Sequence, residues 1–264
     1  MFELFAMSLR EYWNEVDESD SDVSHSIAEL QDVLSEHFGR EIRWDEPELD
    51  PDKQDEEISV DVIDDRQLSA LHAIAAKLEL DGNLDGLELD PENPWDCDVF
   101  ERLEDELDSE DSSGDPEKFP HVLSIGNSFE CVCIPVDLPF VAQINVNNDE
   151  DDEDEEEECH CNHDDDEECC CCDDEDENSL DISSVPALRR ELDMIGEALK
   201  LNPNVNIDEI DVEFNEEDPY RFAKICWYIM NAKLNDAIKS KQPMIIRFCD
   251  DDEYDDLDDE DDVE

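Results

Sequence analysis

Residues 149–177 read DEDDEDEEEECHCNHDDDEECCCCDDEDE, with twenty carboxylates, six cysteines and two histidines in twenty-nine positions. Thiolate and imidazole donors select zinc, copper(I) or related soft ions, which carboxylates alone would not do. The candidate metal ligands are therefore Cys159, His160, Cys161, His163, Cys169, Cys170, Cys171 and Cys172. Their spacing is not that of a zinc finger, which needs two separated ligand pairs. Four consecutive cysteines also cannot all turn towards one ion, so the expected behaviour is that of a flexible chelating arm. The surrounding acids raise the local cation concentration, but they also raise thiol pKa values and weaken capture. The competing reading is a low-complexity loop with no ligand.

A second oxygen-rich stretch, Asp81–Glu92 (DGNLDGLELDPE), satisfies the calcium-loop pattern with Asp81, Asn83, Asp85 and Glu92 as donors. Several details oppose it. Glu88 stands where such loops carry an apolar residue, Leu89 occupies a ligand position, and Pro91 and Pro94 oppose the exit helix. A turn rich in Asp, Gly and Asn accounts for the same residues. A third stretch, 250–264 (DDDEYDDLDDEDDVE), offers Asp251, Asp252, Glu253, Tyr254, Asp255, Asp256 and Leu257 to a basic partner, with the tyrosine and leucine as anchors.

The formal net charge is −68. Residues 1–118 carry −31, the insert 149–177 carries −20 and the tail 250–264 carries −12, which leaves −5 for 119–148 and 178–249 together. Such a field repels nucleic acid and anionic membranes and attracts basic proteins and metal cations. The expected partners are accordingly a basic protein such as a toxin or nuclease, and divalent or soft metal ions, with no direct nucleic acid and no membrane. No stretch reads as an export signal or approaches the ~20 apolar residues of a membrane span. Five cysteines outside the insert (Cys97, Cys131, Cys133, Cys226, Cys249) are scattered and odd in number, which favours a reduced, cytoplasmic setting.

Catalytic signals are thin. No nucleophile elbow, zinc-protease pair, phosphate loop or dinucleotide fingerprint is present. His25, His37, His72 and His121 read as surface or structural histidines, and Cys131 and Cys133 alternate along one strand face as packing residues. The chain therefore reads as a non-enzyme.

The elements that must carry these groups follow from periodicity. Phe2, Phe5, Leu9, Tyr12, Trp13 and Val16 predict a helix over 2–16, and a cap at Ser26 with Ile27, Leu30, Leu34 and Phe38 predicts a second. Further helices are expected at about 66–80, 96–107, 185–201 (capped by Ser183 or Ser184) and 219–240 (capped by Asp218). Strands are expected at 41–44, 58–62, 121–125, 131–136, 140–146, 210–214 and 244–248. The fold class is α+β, a mixed sheet with helices mainly on one face, with a disordered acidic insert and tail. The domain plan is an acidic lobe 1–107, a linker 108–118, a near-neutral lobe formed by 119–148 and 178–249, the insert 149–177 and the tail 250–264. A faint echo at an offset of 121 pairs Leu71, Ile74 and Leu78 with Leu192, Ile195 and Leu199, which raises the alternative of two similar lobes.

The stretch FPHVLSIGNSFECVCIPVDLPF, followed by SSVPALRRELDMIGEAL, resembles a motif pair of uncharacterised bacterial α/β proteins of immunity-protein character. Pro135, Val136 and Asp137 keep its strand end, and Ser183 and Ser184 its helix cap, whereas Ile182 stands where a glycine is expected. The resemblance spans about forty residues and implies a small α/β scaffold that neutralises a partner. The leading reading is therefore an immunity-like acidic protein. A metal-handling protein using zinc or copper(I), less readily calcium, is the alternative, and a purely structural role is the second alternative.

Overall fold

The computed structural model describes residues 1–16, 23–47, 59–90, 93–107, 117–145, 179–203 and 218–249. Among the described residues six strands form one sheet: β1 Phe2–Ala6, β2 Asp61–Ile63, β3 Glu130–Ile134, β4 Ala142–Asn145, β5 Ser179–Ser184 and β6 Met244–Phe248. Their order is β2-β1-β6-β3-β5-β4, and β3 with β5 is the parallel pair (Val132 opposite Ile182) in an otherwise antiparallel sheet. Seven helices accompany it among the described residues: α1 Leu9–Val16, α2 Val23–His37, α3 Asp65–Asp81, α4 Asp98–Leu107, α5 Pro120–Leu123, α6 Val185–Leu199 and α7 Arg221–Ser240.

The central strands are apolar on both sides because both sides are covered. Phe2, Leu4, Cys131, Cys133, Met244 and Ile246 face the core formed with α3 to α7. Phe5, Val132, Ile134, Leu180, Ile182 and Ile245 face a second core closed by α1, α2 and the extended residues Ile42 and Trp44. The mixed α+β architecture with helices mainly on one face is thus as expected. Polar side chains on the second face pair in register. Arg247 lies opposite both Glu3 and Glu130, it donates to the Glu3 carboxylate, and Tyr12 Oη donates to Glu130 Oε2 at 2.7 Å. Burial and that carboxylate push the Tyr12 hydroxyl far above its ordinary pKa.

Local chemistry sets the helix ends. Asp64 Oδ1 accepts from Gln67 N at 2.7 Å while Gln67 Oε1 accepts from Asp64 N, a reciprocal cap on α3, and Gly82 closes that helix at φ 68°. Ser184 Oγ accepts from Ala187 N at 3.1 Å to cap α6.

The helix expected over 2–16 is a strand followed by a helix. Apolar residues at 2, 4 and 5 fit either period, and the break is Ser8, whose Oγ accepts from Glu11 N at 3.1 Å. The helix expected from Ser26 begins at Val23. Residues 41–44 are extended but unpaired with the sheet, held by Ser35 and by Gln31, which donates to Trp44 O. Residues 121–125 are not a strand: Pro120 opens the short helix α5 and a turn follows. The strand expected at 210–214 lies outside the described residues. Strands from 1–107 and from 119–249 share this one sheet, since β1 pairs with both β2 and β6. The echoed stretches fall on α3 and α6.

Candidate interaction surface

Helix α4 (DVFERLEDEL) divides its residues by side. Val99 is buried, Phe100 and Leu103 pack partly against the first core, and Asp98, Glu101, Glu104, Asp105 and Glu106 are exposed. From Asp98 to Glu106 the helix rises about 12 Å at ~1.5 Å per residue. Five carboxylates and the exposed Arg102 over that length leave a net one negative charge per about 3–4 Å, close to the ~3.4 Å per charge of one DNA strand. The row is fixed to the fold by charge as well as packing. Arg102 Nη2 lies 3.0 Å from Asp81 Oδ1, and Lys77 Nζ lies 2.5 Å from Asp81 Oδ2. Hydrogen bonds from Lys77 and Arg102 hold the Asp81 carboxyl below its ordinary pKa. The approach to α4 continues the exposed acids with Asp85, Glu88, Asp90 and Asp96, beside a half-exposed Trp95.

The opposite side of the molecule is also acidic. Glu29, Asp32 and Glu36 are exposed along α2, with Asp32 paired to Arg43, and Glu41 and Asp45 follow.

At the carboxyl ends of β3 and β5 a polar cluster is buried. His121 Nδ1 lies 2.9 Å from Ser183 Oγ and Nε2 lies 3.2 Å from Leu138 O. The Glu191 carboxylate accepts from His121 N at 3.2 Å and Val122 N at 2.7 Å, at the start of α5. Ser184 Oγ also accepts from Leu138 N. Burial lowers the His121 pKa to about 4 and raises that of Glu191 to about 7. Ser183 and His121 are closed to solvent, so the cluster fastens the loop after β3 to α5 and α6 and offers no reachable nucleophile. The signal for it was Glu191 itself, a carboxylate on the face of α6 that otherwise carries Leu188, Leu192 and Ile195.

Of the residues singled out from sequence, Asp81 is engaged by Lys77 and Arg102. Asn83 donates to Asp81 O and accepts from Asp85 N at 2.9 Å within a turn, and Glu92 lies outside the described residues. The metal candidates Cys159, His160, Cys161, His163 and Cys169 to Cys172 lie outside them too, as do Asp251 to Leu257. Among the described residues no group of three or more His, Cys, Asp or Glu side chains is placed to hold a metal ion. Cys131 and Cys133 are buried, and their mutual contact together with burial pushes the Cys131 thiol well up, as suits packing residues. No helix among the described residues is long and apolar enough to cross a membrane.

Searches of curated proteins and of solved structures returned no match. A family model described as "Putative DNA-mimic protein" matches residues 5–246. This match corrects one part of the expected partner set, the exclusion of nucleic acid, and is compatible with the other part, a basic protein such as a toxin or nuclease. The family's description brings in nucleic acid as something imitated. With the match spanning both cores and α4, the chain belongs to the family described as "Putative DNA-mimic protein".

Proposed function

We propose that this chain is a non-catalytic acidic binding protein that offers the exposed carboxylates of α4 to the basic surface of a DNA-binding protein, in place of a DNA backbone. The carrying observation is the charge row Asp98, Glu101, Glu104, Asp105 and Glu106, whose net axial density, with Arg102 counted, is close to that of one DNA strand. A surface that binds phosphates through Lys and Arg responds to such a row without base contacts. Family membership supports the same reading. Anchoring through Arg102–Asp81–Lys77 matters because a charge row on a fixed helix needs little ordering when it binds.

The test is displacement of fluorescent duplex DNA from a panel of basic, sequence-tolerant DNA-binding proteins, followed by anisotropy at two salt concentrations. The chain is expected to displace DNA at low salt and to lose this steeply as salt rises. The triple variant Glu101→Gln, Glu104→Gln, Asp105→Asn is expected to displace at least about tenfold less well, at about 0.5 kcal/mol or more per screened contact. Absence of displacement across the panel at low salt, or an unaffected triple variant, would refute the reading.

A further inference from the structure

Because β3 and β5 are parallel, their carboxyl ends lie side by side, where crevices open in α/β sheets. The chain leaving β3 crosses the end of β5 to reach β4, since the strand order is β3-β5-β4, and Leu138 N donates to Ser184 Oγ on the way. A cavity of about 610 Å³ lies at this crossing, with His37, Phe38, Arg40, Asp137, Phe140 and Arg190 in its lining. In a chain of net charge −68, that lining sets two guanidiniums against one carboxylate. Both guanidiniums meet one residue: Arg190 Nη2 lies 2.7 Å from Asp137 Oδ1, and Arg40 donates to Asp137 O. A guanidinium has five N–H donors in a planar fork, so one such bond uses a small part of it. The Arg190 and Asp137 side chains are 58% and 61% exposed, and an exposed pair of this kind yields readily to a competing anion. His37, Phe38 and Phe140 form a three-ring cluster, with centroids 4.9, 5.1 and 6.0 Å apart, and Phe140 is 48% exposed.

We propose that this cavity binds a small aromatic anion, a flat ring joined to a phosphate or carboxylate, with the ring on Phe140 and the oxyanion across Arg40 and Arg190. The volume falls within the ~300–1,000 Å³ of small-molecule sites, and the lining has their character, apolar and aromatic walls with a few convergent polar groups. Planar guanidinium forks suit oxyanions, which they grip with two bonds at once. The uncovered part of Phe140 suits a ring, since aromatic pairs favour the offset and edge contacts that a flat ligand would add. The acidic field of the whole chain opposes an anion, but at physiological salt it is screened beyond ~8 Å, so the two guanidiniums prevail at contact. Asp137 tunes the site, because its carboxylate competes with the ligand for Arg190. No residue of α4 takes part, and the site therefore stands apart from the binding of a basic partner.

The test is an NMR titration of the full chain with phenyl phosphate, benzoate, phenol and inorganic phosphate. Phenyl phosphate or benzoate is expected to bind with a Kd of about 1 mM or tighter, and the better of the two tells a phosphate site from a carboxylate site. Phenol and inorganic phosphate each carry half of the ligand and should bind at least about tenfold more weakly. The double variant Arg40→Gln, Arg190→Gln, and separately Phe140→Ala, should each weaken binding about tenfold, whereas Lys239→Gln, at the exposed end of α7, should not. Asp137→Asn should tighten binding about threefold or more by releasing Arg190, a gain that a pair serving only to fasten the loop would not produce. Thermal midpoints of all variants separate lost binding from lost folding. Five results would each overturn the proposal: no binding of either aromatic anion, equal binding of phenol or inorganic phosphate, indifference to the arginine or Phe140 changes, no gain in Asp137→Asn, or equal binding of a penta-aspartate peptide.

Discussion

A Cβ built on Gly196 would lie 2.5 Å from Cζ2 and 2.9 Å from Cε2 of the Trp227 indole, so α6 and α7 meet backbone against ring. Trp227 is buried, and its Nε1 donates to Leu192 O at 2.6 Å, which holds the ring in place. In an exposed helix, Gly→Ala stabilises by about 0.8–1 kcal/mol. Here the sign should invert. Gly196→Ala is expected to destabilise by about 1–3 kcal/mol through overpacking, read from urea unfolding midpoints at unchanged slope. A gain in stability would mean that the ring can withdraw.

Lys233 is 2% exposed, with Nζ 2.8 Å from Asp61 Oδ2 and 2.8 Å from Ser59 O, and so fastens α7 to the start of β2. The two ends of this pair are unequal, since the Asp61 side chain keeps 35% of its exposure. Removing the lysine leaves a carboxylate that water can solvate, while removing the aspartate leaves a buried ammonium. Asp61→Ala is therefore expected to cost more, about 3 kcal/mol against about 1 kcal/mol for Lys233→Met. Equal losses would show that Ser59 alone satisfies the ammonium.

Glu191 and His121 give the fold opposing pH dependences. The Glu191 pKa is raised from 4.5 to about 7, chiefly by burial, so the native state holds the extra proton in that window. Its contribution is fully present below 4.5 and is lost as pH rises through about 7. The His121 pKa is lowered from 6.5 to about 4, again chiefly by burial. Its contribution is present above 6.5 and is lost as pH falls through about 4. Between 4.5 and 6.5 the two slopes cancel. Glu191→Gln should unmask the histidine, so that its stability relative to the parent chain rises by about 1.4 kcal/mol per pH unit across that window. Unfolding of both chains at pH 4.5, 5.5 and 6.5 measures this, and a constant difference would place the titrations elsewhere.

The cysteines and histidines of the insert are dispensable if carboxylates do the binding. Exchanging Cys159, Cys161, Cys169 to Cys172, His160 and His163 for serine should leave DNA displacement within about twofold of the parent chain, since the exchange removes no negative charge. A tenfold loss would promote the metal reading to first place.

The sequence disclosed some of this and hid the rest for definable reasons. The run Ser184 to Leu199 announced α6, because a cap, a proline in the first turn and apolar residues at 188, 192, 195 and 199 all agree. Phe2 to Val16 misled because a strand buried on both faces shows no alternation, and only the capping serine at 8 marks the join. The pairing of His121 with Ser183, 62 residues apart, depends on the parallel register of β3 and β5, which periodicity does not encode. Helix α4 was legible as an element, but denser acid in the insert and tail drew attention from it, and density alone does not say which charges stand in a fixed row.

The pairing of β1 with β6 sets a schedule for synthesis. Phe2–Ala6 leaves the ribosome long before Met244–Phe248, one of its two neighbours in the sheet. Until then its outer hydrogen-bonding groups are met only by water or by whatever binds nascent chains, and the cores on both faces stay open along the same seam. The growing polypeptide is thus highly charged long before it has a rigid surface, so shape, not charge, is what its last strand supplies.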